Sequence, residues 1–203
     1  MRLSIKNYII KNIIAIIMLS LTGCFSPVKI KPEETYMLKS VPDVAVRRTR
    51  PVTILVMPPE AVPVYNTTQM AYSVLPYQVA YYSHNRWAET PPKMLQPLIV
   101  QSLQNSHYFR NVGIPSFVVG QYDYVLNTQL LELQQDYTHR PPLLRLRMRA
   151  QLSRAMTNRV IATKNFAVFV PLRQYTPYGG VIAANRATEE MLAQLTQFAI
   201  NRT

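Results

Sequence analysis

Apolar and polar residues alternate with a period of two along much of the second half of this chain, which is the spacing of a half-buried strand. Residues 143–156 show the alternation most clearly, with apolar residues at the even positions from 144 to 152 and arginines at positions 145, 147 and 149. Residues 122–137 and 159–171 also read as strands, and Thr157-Asn158 is a turn candidate. The pattern predicts a three-stranded antiparallel meander over residues 122–171.

The first half of the chain contains shorter strand candidates. Residues 52–58 are continuously apolar, which predicts a central strand covered on both faces. Residues 35–41 predict a short strand, and residues 70–75 and 77–82 predict two strand pieces with a turn or bulge at Pro76 between them.

Two segments have the period of an amphipathic helix. Residues 90–106 place Thr90 at the N-cap and Pro91 in the first turn, whereas Pro97 should kink or restart this helix. Residues 179–202 predict a terminal helix with an apolar stripe formed by Thr188, Met191, Leu192, Leu195, Phe198 and Ala199. The order of elements predicts an α+β fold, in which helices pack on a mixed, largely antiparallel sheet in a layered sandwich.

The N-terminus has a different character. Arg2, Lys6 and Lys11 precede the apolar residues 13–21, and small residues follow up to Cys24. A basic region, a short apolar region and small residues are typical of a secretory signal peptide, and the apolar part is too short to span a bilayer. We therefore predict a cleaved signal peptide over 1–23, a lipidated cysteine and short tether over 24–34, and one domain over 35–203.

Cys24 is the only cysteine in the chain and has three interpretations: a packed thiol, a nucleophile or an attachment site. Leu21-Thr22-Gly23-Cys24 resembles the bacterial lipoprotein processing box, which implies a diacylglyceryl group and an N-acyl chain on Cys24. In the sorting rule that accompanies this box, Asp after the cysteine retains the protein in the inner membrane. Phe25 therefore implies the periplasmic face of the outer membrane of a Gram-negative bacterium.

The partner that the net charge indicates depends on the compartment. The chain carries +12, of which the predicted signal peptide supplies three, leaving +9 for the rest. Such a charge in the cytosol indicates nucleic acid, but nucleic acid is not a partner in the periplasm. The anionic partners available there are phospholipid headgroups, lipopolysaccharide and acidic protein surfaces.

The sequence offers little for catalysis or metal binding. His84, His107 and His139 are widely spaced, and neither a GxSxG motif nor a glycine-rich phosphate loop is present. Strand alternation places Asp123 on the opposite face from Glu132 and Asp136, so no acid/base pair is predicted. We expect a protein that is not an enzyme and holds neither a metal nor a cofactor beyond the acyl chains on Cys24.

Two surfaces are candidates for partner binding, each with a structural alternative. Arg145, Arg147 and Arg149 form either a solvated or edge-protecting sheet face or a docking surface for an acidic partner or anionic headgroups. The aromatic residues of the 72–87 segment form either ordinary packing or a partner surface. The aromatic residues of this segment are Tyr72, Tyr77, Tyr81, Tyr82 and Trp87.

One family resemblance covers nearly all of the predicted domain. Its motifs are Tyr36-Met37-Leu38, a strand ending in proline, Tyr65 in the following loop, a strand opening at Met70, and Asn85-Arg86-Trp87-Ala88-Glu89 before the first helix. The sequence resembles the ABC-type transport auxiliary lipoproteins, which are outer-membrane partners of MCE-type lipid transport systems. The resemblance implies a three-layer domain similar to the N-terminal domain of TolB, and a non-enzymatic role in docking an MCE-domain protein.

A rival hypothesis is an outer-membrane lipoprotein scaffold that activates cell-wall synthesis through a TolB-like domain. Such proteins typically have a long tether that crosses the peptidoglycan. Here residues 25–34 span at most about 33 Å, which favours the transport interpretation. Neighbouring genes for an ABC permease, an ATPase and an MCE protein would support transport, whereas cell-wall synthesis genes would support the rival.

Overall fold

The computed structural model describes residues 32–44, 49–115 and 121–203, so Cys24, Phe25 and the predicted signal peptide lie outside the described residues. Residues Glu33–Thr203 form one compact unit. Its elements are β1 (Glu34–Tyr36), β2 (Arg50–Val56), β3 (Glu60–Ala61), a 3-10 helix (Pro63–Tyr65), β4 (Gln69–Ser73), β5 (Ala80–Trp87), α1 (Pro91–Asn105), β6 (Phe109–Gly113), β7 (Tyr124–Asp136), β8 (Leu143–Arg154), β9 (Val160–Pro171) and α2 (Pro177–Arg202).

The long strand β7 organises the sheet. Along one edge it pairs in parallel with β2, then β3, then β4, and along its other edge it pairs antiparallel with β8. Strand β6 continues the sheet beyond β2, whereas β5 and β1 continue it beyond β4. Since β9 pairs antiparallel with β8, the predicted meander over 122–171 is confirmed.

A β-bulge interrupts the alternation of β7. The register with β8 shifts between Leu130 and Glu132, so one extra residue stands in β7. As a result Leu126 and Leu130 before the shift, and Leu133 after it, are all buried. Strict alternation, and with it the predicted separation of Asp123 from Glu132 and Asp136, therefore does not hold across residue 131.

Both helices contact one another and the sheet. Helix α1 packs on β2 and β6, α2 packs on β8 and β9, and Ser102 Oγ lies 2.7 Å from Thr196 Oγ1 where the helices meet. The core between the layers includes Ile54, Leu95, Ile99, Leu126, Leu146, Met148 and Met191. The α+β class with a mixed sheet is confirmed. The likeness to the N-terminal domain of TolB stays a prediction.

The two helices begin differently. Thr176 caps α2, since its side chain accepts a hydrogen bond from Gly179 N at 3.0 Å, whereas Thr90 makes no side-chain bond at the start of α1. Pro97 lies inside α1 without ending it. Pro97 and Lys93 are both exposed, so water can satisfy the Lys93 carbonyl that the proline leaves without an N–H donor.

Candidate partner-binding surface

The sheet face opposite the helices carries the three arginines of β8. Register places Arg147 opposite Glu132, and Arg145 opposite Gln134, on the neighbouring strand β7. Glu132 forms ion pairs with both arginines: Arg145 Nε lies 2.7 Å from Oε1 and donates a hydrogen bond to it, and Arg147 Nε lies 3.0 Å from Oε2. One carboxylate therefore offsets much of the repulsion between two neighbouring guanidinium groups.

Asp136 extends this cluster toward the end of β7. Its carboxylate accepts from the backbone amide of Thr138 at 2.9 Å and from Arg145 Nη1 at 3.4 Å. Burial would raise the pKa of Asp136, but the Thr138 hydrogen bonds and the charges of His139 and Arg145 outweigh it and hold this pKa below its usual value. Asp136 thus remains ionised and fixes Arg145 in place.

The outer part of the face is open to solvent. The guanidinium carbons of Arg145 and Arg147 lie 5.0 and 5.4 Å from the ring centre of Phe169 on β9, which is 44% exposed. Arg149 is exposed and donates from Nε to Asn165 Oδ1 at 3.1 Å. We call Arg147, Arg149 and Phe169 the arginine patch, because these side chains combine exposure with charge or an aromatic face.

The structure separates the aromatic residues into different environments. Trp87 is only 4% exposed and belongs to the core, so a direct partner contact through it is corrected to a packing role. Tyr82 stacks on Tyr72 with ring centres 4.4 Å apart, and its hydroxyl bonds Gln135 Oε1 at 3.1 Å and lies 3.0 Å from the Tyr137 hydroxyl. These bonds and its half-buried ring favour the packing interpretation for Tyr82.

The Gln135 amide connects this tyrosine cluster to the start of α2. Gln135 Nε2 donates to Pro177 O at 3.3 Å. A Cβ on Gly180 would stand 2.0 Å from the Gln135 amide, so a larger residue there would displace this amide from its hydrogen bonds.

Tyr81 and Tyr65 lie at the margin of the arginine face. Tyr81 donates from its hydroxyl to Val64 O at 3.0 Å, which attaches the 3-10 helix to β5. Tyr65 donates to Gln134 Oε1 at 3.1 Å. Burial, followed by the charge of Glu132, raises the pKa of Tyr65 to about 12, so this phenol is neutral and acts as a donor. Tyr81 is 36% exposed, more than Tyr82 or Trp87, whereas Tyr77 of the same aromatic set is fully exposed.

Sequence patterns identified the arginines but missed the residues that decide their roles. The sequence marks Glu132 and Asp136 only as acidic residues to weigh for catalysis, and it places Phe169 only within a strand. The alternation of β9 puts Phe169 on the same face as Arg145, so pairing the two strands in register would have found it.

Within the described ranges, no cluster of three or more His, Cys, Asp or Glu side chains could hold a metal ion. In that same part of the chain, neither helix combines the length and apolar character needed to cross a bilayer.

Known structures share this architecture. A Xanthomonas campestris protein of the DUF330 family superposes with a TM-score of 0.74 at 19% identity, covering 83% of this chain and 95% of that one. An uncharacterized protein superposes with a TM-score of 0.64 at 12% identity, covering 84% of this chain and 98% of that one. No curated protein sequence matches the chain. At these identities the likeness shows the fold alone.

The family follows from the sequence match. Residues 36–196 match the family model of the ABC-type transport auxiliary lipoprotein component, a span that runs from the last residue of β1 into the C-terminal half of α2. The match thus includes all of strands β2 to β9 and the arginine patch. The chain belongs to the family of ABC-type transport auxiliary lipoprotein components.

Proposed function

We propose that this protein is an outer-membrane lipoprotein that serves as the periplasm-facing docking subunit of an MCE/ABC-type system carrying lipids or other hydrophobic molecules between membranes. Family membership supports a role beside a transporter. The processing box ending at Cys24 supports acylation there, and Phe25 supports sorting to the outer membrane. In this role the protein binds and positions its partner, and catalyses no reaction.

The arginine patch is the observation that carries the docking role. Arginine and aromatic side chains are enriched in the energetically important parts of protein interfaces. In the patch, the Arg147 guanidinium lies over the exposed Phe169 ring on a sheet face that neither helix covers. A guanidinium can bind a carboxylate through two parallel hydrogen bonds, so the patch suits an acidic surface of an MCE-domain protein.

The three arginines have different parts in this proposal. Arg145 is held by Glu132 and Asp136, and its side chain is only 21% exposed. It therefore has a structural role beside the patch and does not itself bind the partner. Arg149 has a neutral hydrogen-bond partner, Asn165, and keeps its charge for an incoming carboxylate. Arg149 is therefore the residue whose reversal tests docking with least effect on the fold.

The test is affinity purification of the tagged, membrane-extracted protein, followed by mass spectrometry of its partners. We expect an MCE-domain protein to co-purify with the native chain. Arg149→Glu should weaken this association about tenfold or more, because like charges placed across an interface repel. Arg159→Glu is the matched control, since it makes the same charge change at an exposed position in the β8–β9 turn.

The outcomes separate the function from the surface. Absence of any MCE-domain protein from the native purification would contradict the proposed function. Recovery of that protein with equal yield from both variants would keep the function but remove the arginine patch from the interface.

A further inference from the structure

The loop between β4 and β5 exposes a group of adjacent apolar side chains. In residues 74–79, Val74 is 50% exposed, Leu75 is 60% exposed and Tyr77 is fully exposed. Adjacent exposed apolar residues on a domain surface usually mark a contact with a protein or a membrane. The folded domain leaves at least half of each of these side chains exposed, so their apolar surface is available to a partner outside the domain.

The turn at the tip of this loop holds its tyrosine in a strained conformation. Gln78 N donates to Leu75 O at 3.3 Å across the turn, Pro76 stands at the second position, and Tyr77 at the third has a φ of 64°. Proline followed by a residue with positive φ is the pattern of a type II turn, in which glycine is preferred at the third position. The fold thus carries a bulky side chain where glycine would be less strained, and presents its ring to solvent.

Two further loops lie at the same end of the sheet. Tyr137 N donates to Ser73 O at 2.9 Å, which places residues 137–142 beside the β4–β5 loop. Leu172 N donates to Pro142 O at 2.8 Å, which adds residues 172–176. These three loops contain Arg140, Arg173 and His139 but no acidic residue. The apolar tip is therefore accompanied by positive charge.

The direction of β1 turns its first residue toward this end of the sheet. Strand β1 is parallel to β5, and β5 begins directly after the loop, so the first residue of β1 is the one nearer to the loop. Glu34 pairs with Asn85, at most about 17 Å along β5 from Ala80. The ten residues from Cys24 to Glu34 can span up to about 33 Å, so an anchor at Cys24 can hold this end of the domain at a bilayer.

We infer that residues 74–79 form a membrane-contact loop. Leu75 and Tyr77 enter the boundary between headgroups and acyl chains of the phospholipid bilayer that holds the Cys24 anchor, and Arg140 and Arg173 face anionic headgroups. Tyrosine is favoured at this depth, and basic side chains add electrostatic attraction. The inference rests on the proposed lipid anchor and deepens it, because a second contact fixes the orientation of the domain on the membrane.

The test uses the full lipid-anchored protein, reconstituted into vesicles of phosphatidylethanolamine and phosphatidylglycerol with or without brominated acyl chains. Tryptophan is introduced by Tyr77→Trp and, as a matched control, by Met156→Trp. Met156 is 85% exposed in the β8–β9 turn, which lies at the opposite end of the sheet because Arg154 pairs with Tyr124 at the start of β7. The native Trp87 is buried and supplies a constant background.

We expect the emission of the Tyr77→Trp variant to be lower in brominated than in unbrominated vesicles, with no difference for Met156→Trp or the native protein. Equal emission in both vesicle types for Tyr77→Trp, with the protein retained after an alkaline wash, would overturn the inference and leave the anchor intact. Release of the native protein by the wash would overturn acylation of Cys24, and the inference with it.

Discussion

Arg145 and Arg149 show how one residue type on one strand face takes two roles. They lie four residues apart on β8, yet Arg145 is bound by two carboxylates whereas Arg149 donates to an amide. The difference comes from β7, where Glu132 and Asp136 both lie near the C-terminal end. Burial would lower the pKa of Arg145, but its bond to Glu132 raises it, so this side chain is a permanent cation within a neutralised cluster.

Asp136 should make the stability of the domain depend on acidic pH. Its pKa is lower folded than unfolded, so the unfolded state binds more protons and stability rises with pH. The contribution is present above an unfolded pKa of about 3.9 and is lost as the pH falls through the folded pKa. We expect Asp136→Asn to lower the free energy of unfolding by about 1–2 kcal/mol near neutral pH, and by less at pH 3.

Urea denaturation across this pH range measures the effect, with Asp43→Asn as the control at an exposed carboxylate. A destabilisation by Asp136→Asn that is the same at every pH would contradict the assigned role.

At the scale of elements, β7 decides the arrangement of the whole sheet. Its parallel partners β2, β3 and β4 follow one another along a single edge of β7. These three strands are also consecutive in the chain, which leaves the edge of β7 after β4. Apolar patterning predicted most of these strands, because burial on one face imposes a period of two. The bulge at residue 131 was not predictable from that period, since an inserted residue changes the parity without changing composition.

The two helix starts form a matched pair for measuring capping. Thr176→Ala removes the acceptor for Gly179 N and should destabilise the domain by about 1 kcal/mol. Thr90→Ala makes the same chemical change at a position without a side-chain capping bond, so we expect only a few tenths of a kcal/mol there. Thermal unfolding of both variants measures the difference, and equal losses would refute the capping role of Thr176.

At the scale of the whole molecule, the domain has one sheet face covered by helices and one face left open. The arginine patch lies on the open face, and the exposed loop 74–79 lies at one end of the sheet. A lipid anchor before β1, a membrane contact at that end and a docking face on the side would together present the patch to a partner in the periplasm.

Substitutions at the two neighbouring residues 24 and 25 test the lipid anchor. Cys24→Ser should abolish incorporation of labelled palmitate and leave an unprocessed precursor that retains residues 1–23, because acylation of the cysteine precedes cleavage in the resembled pathway. Phe25→Asp should keep the label but move the protein to the inner-membrane fraction. Normal outer-membrane fractionation of Cys24→Ser would contradict the lipoprotein assignment of this residue.

The sequence alone determined the properties that depend on neighbouring residues in the chain. Alternation, helical periodicity and turn residues predicted most elements of the α+β fold, and the motifs around Trp87 indicated the family. Tertiary structure decided which side chains are available to a partner, because exposure depends on strands far apart in sequence. Trp87 is buried by that packing, Arg145 is neutralised by β7, and Phe169 joins Arg147 and Arg149 only because β8 and β9 pair in this register.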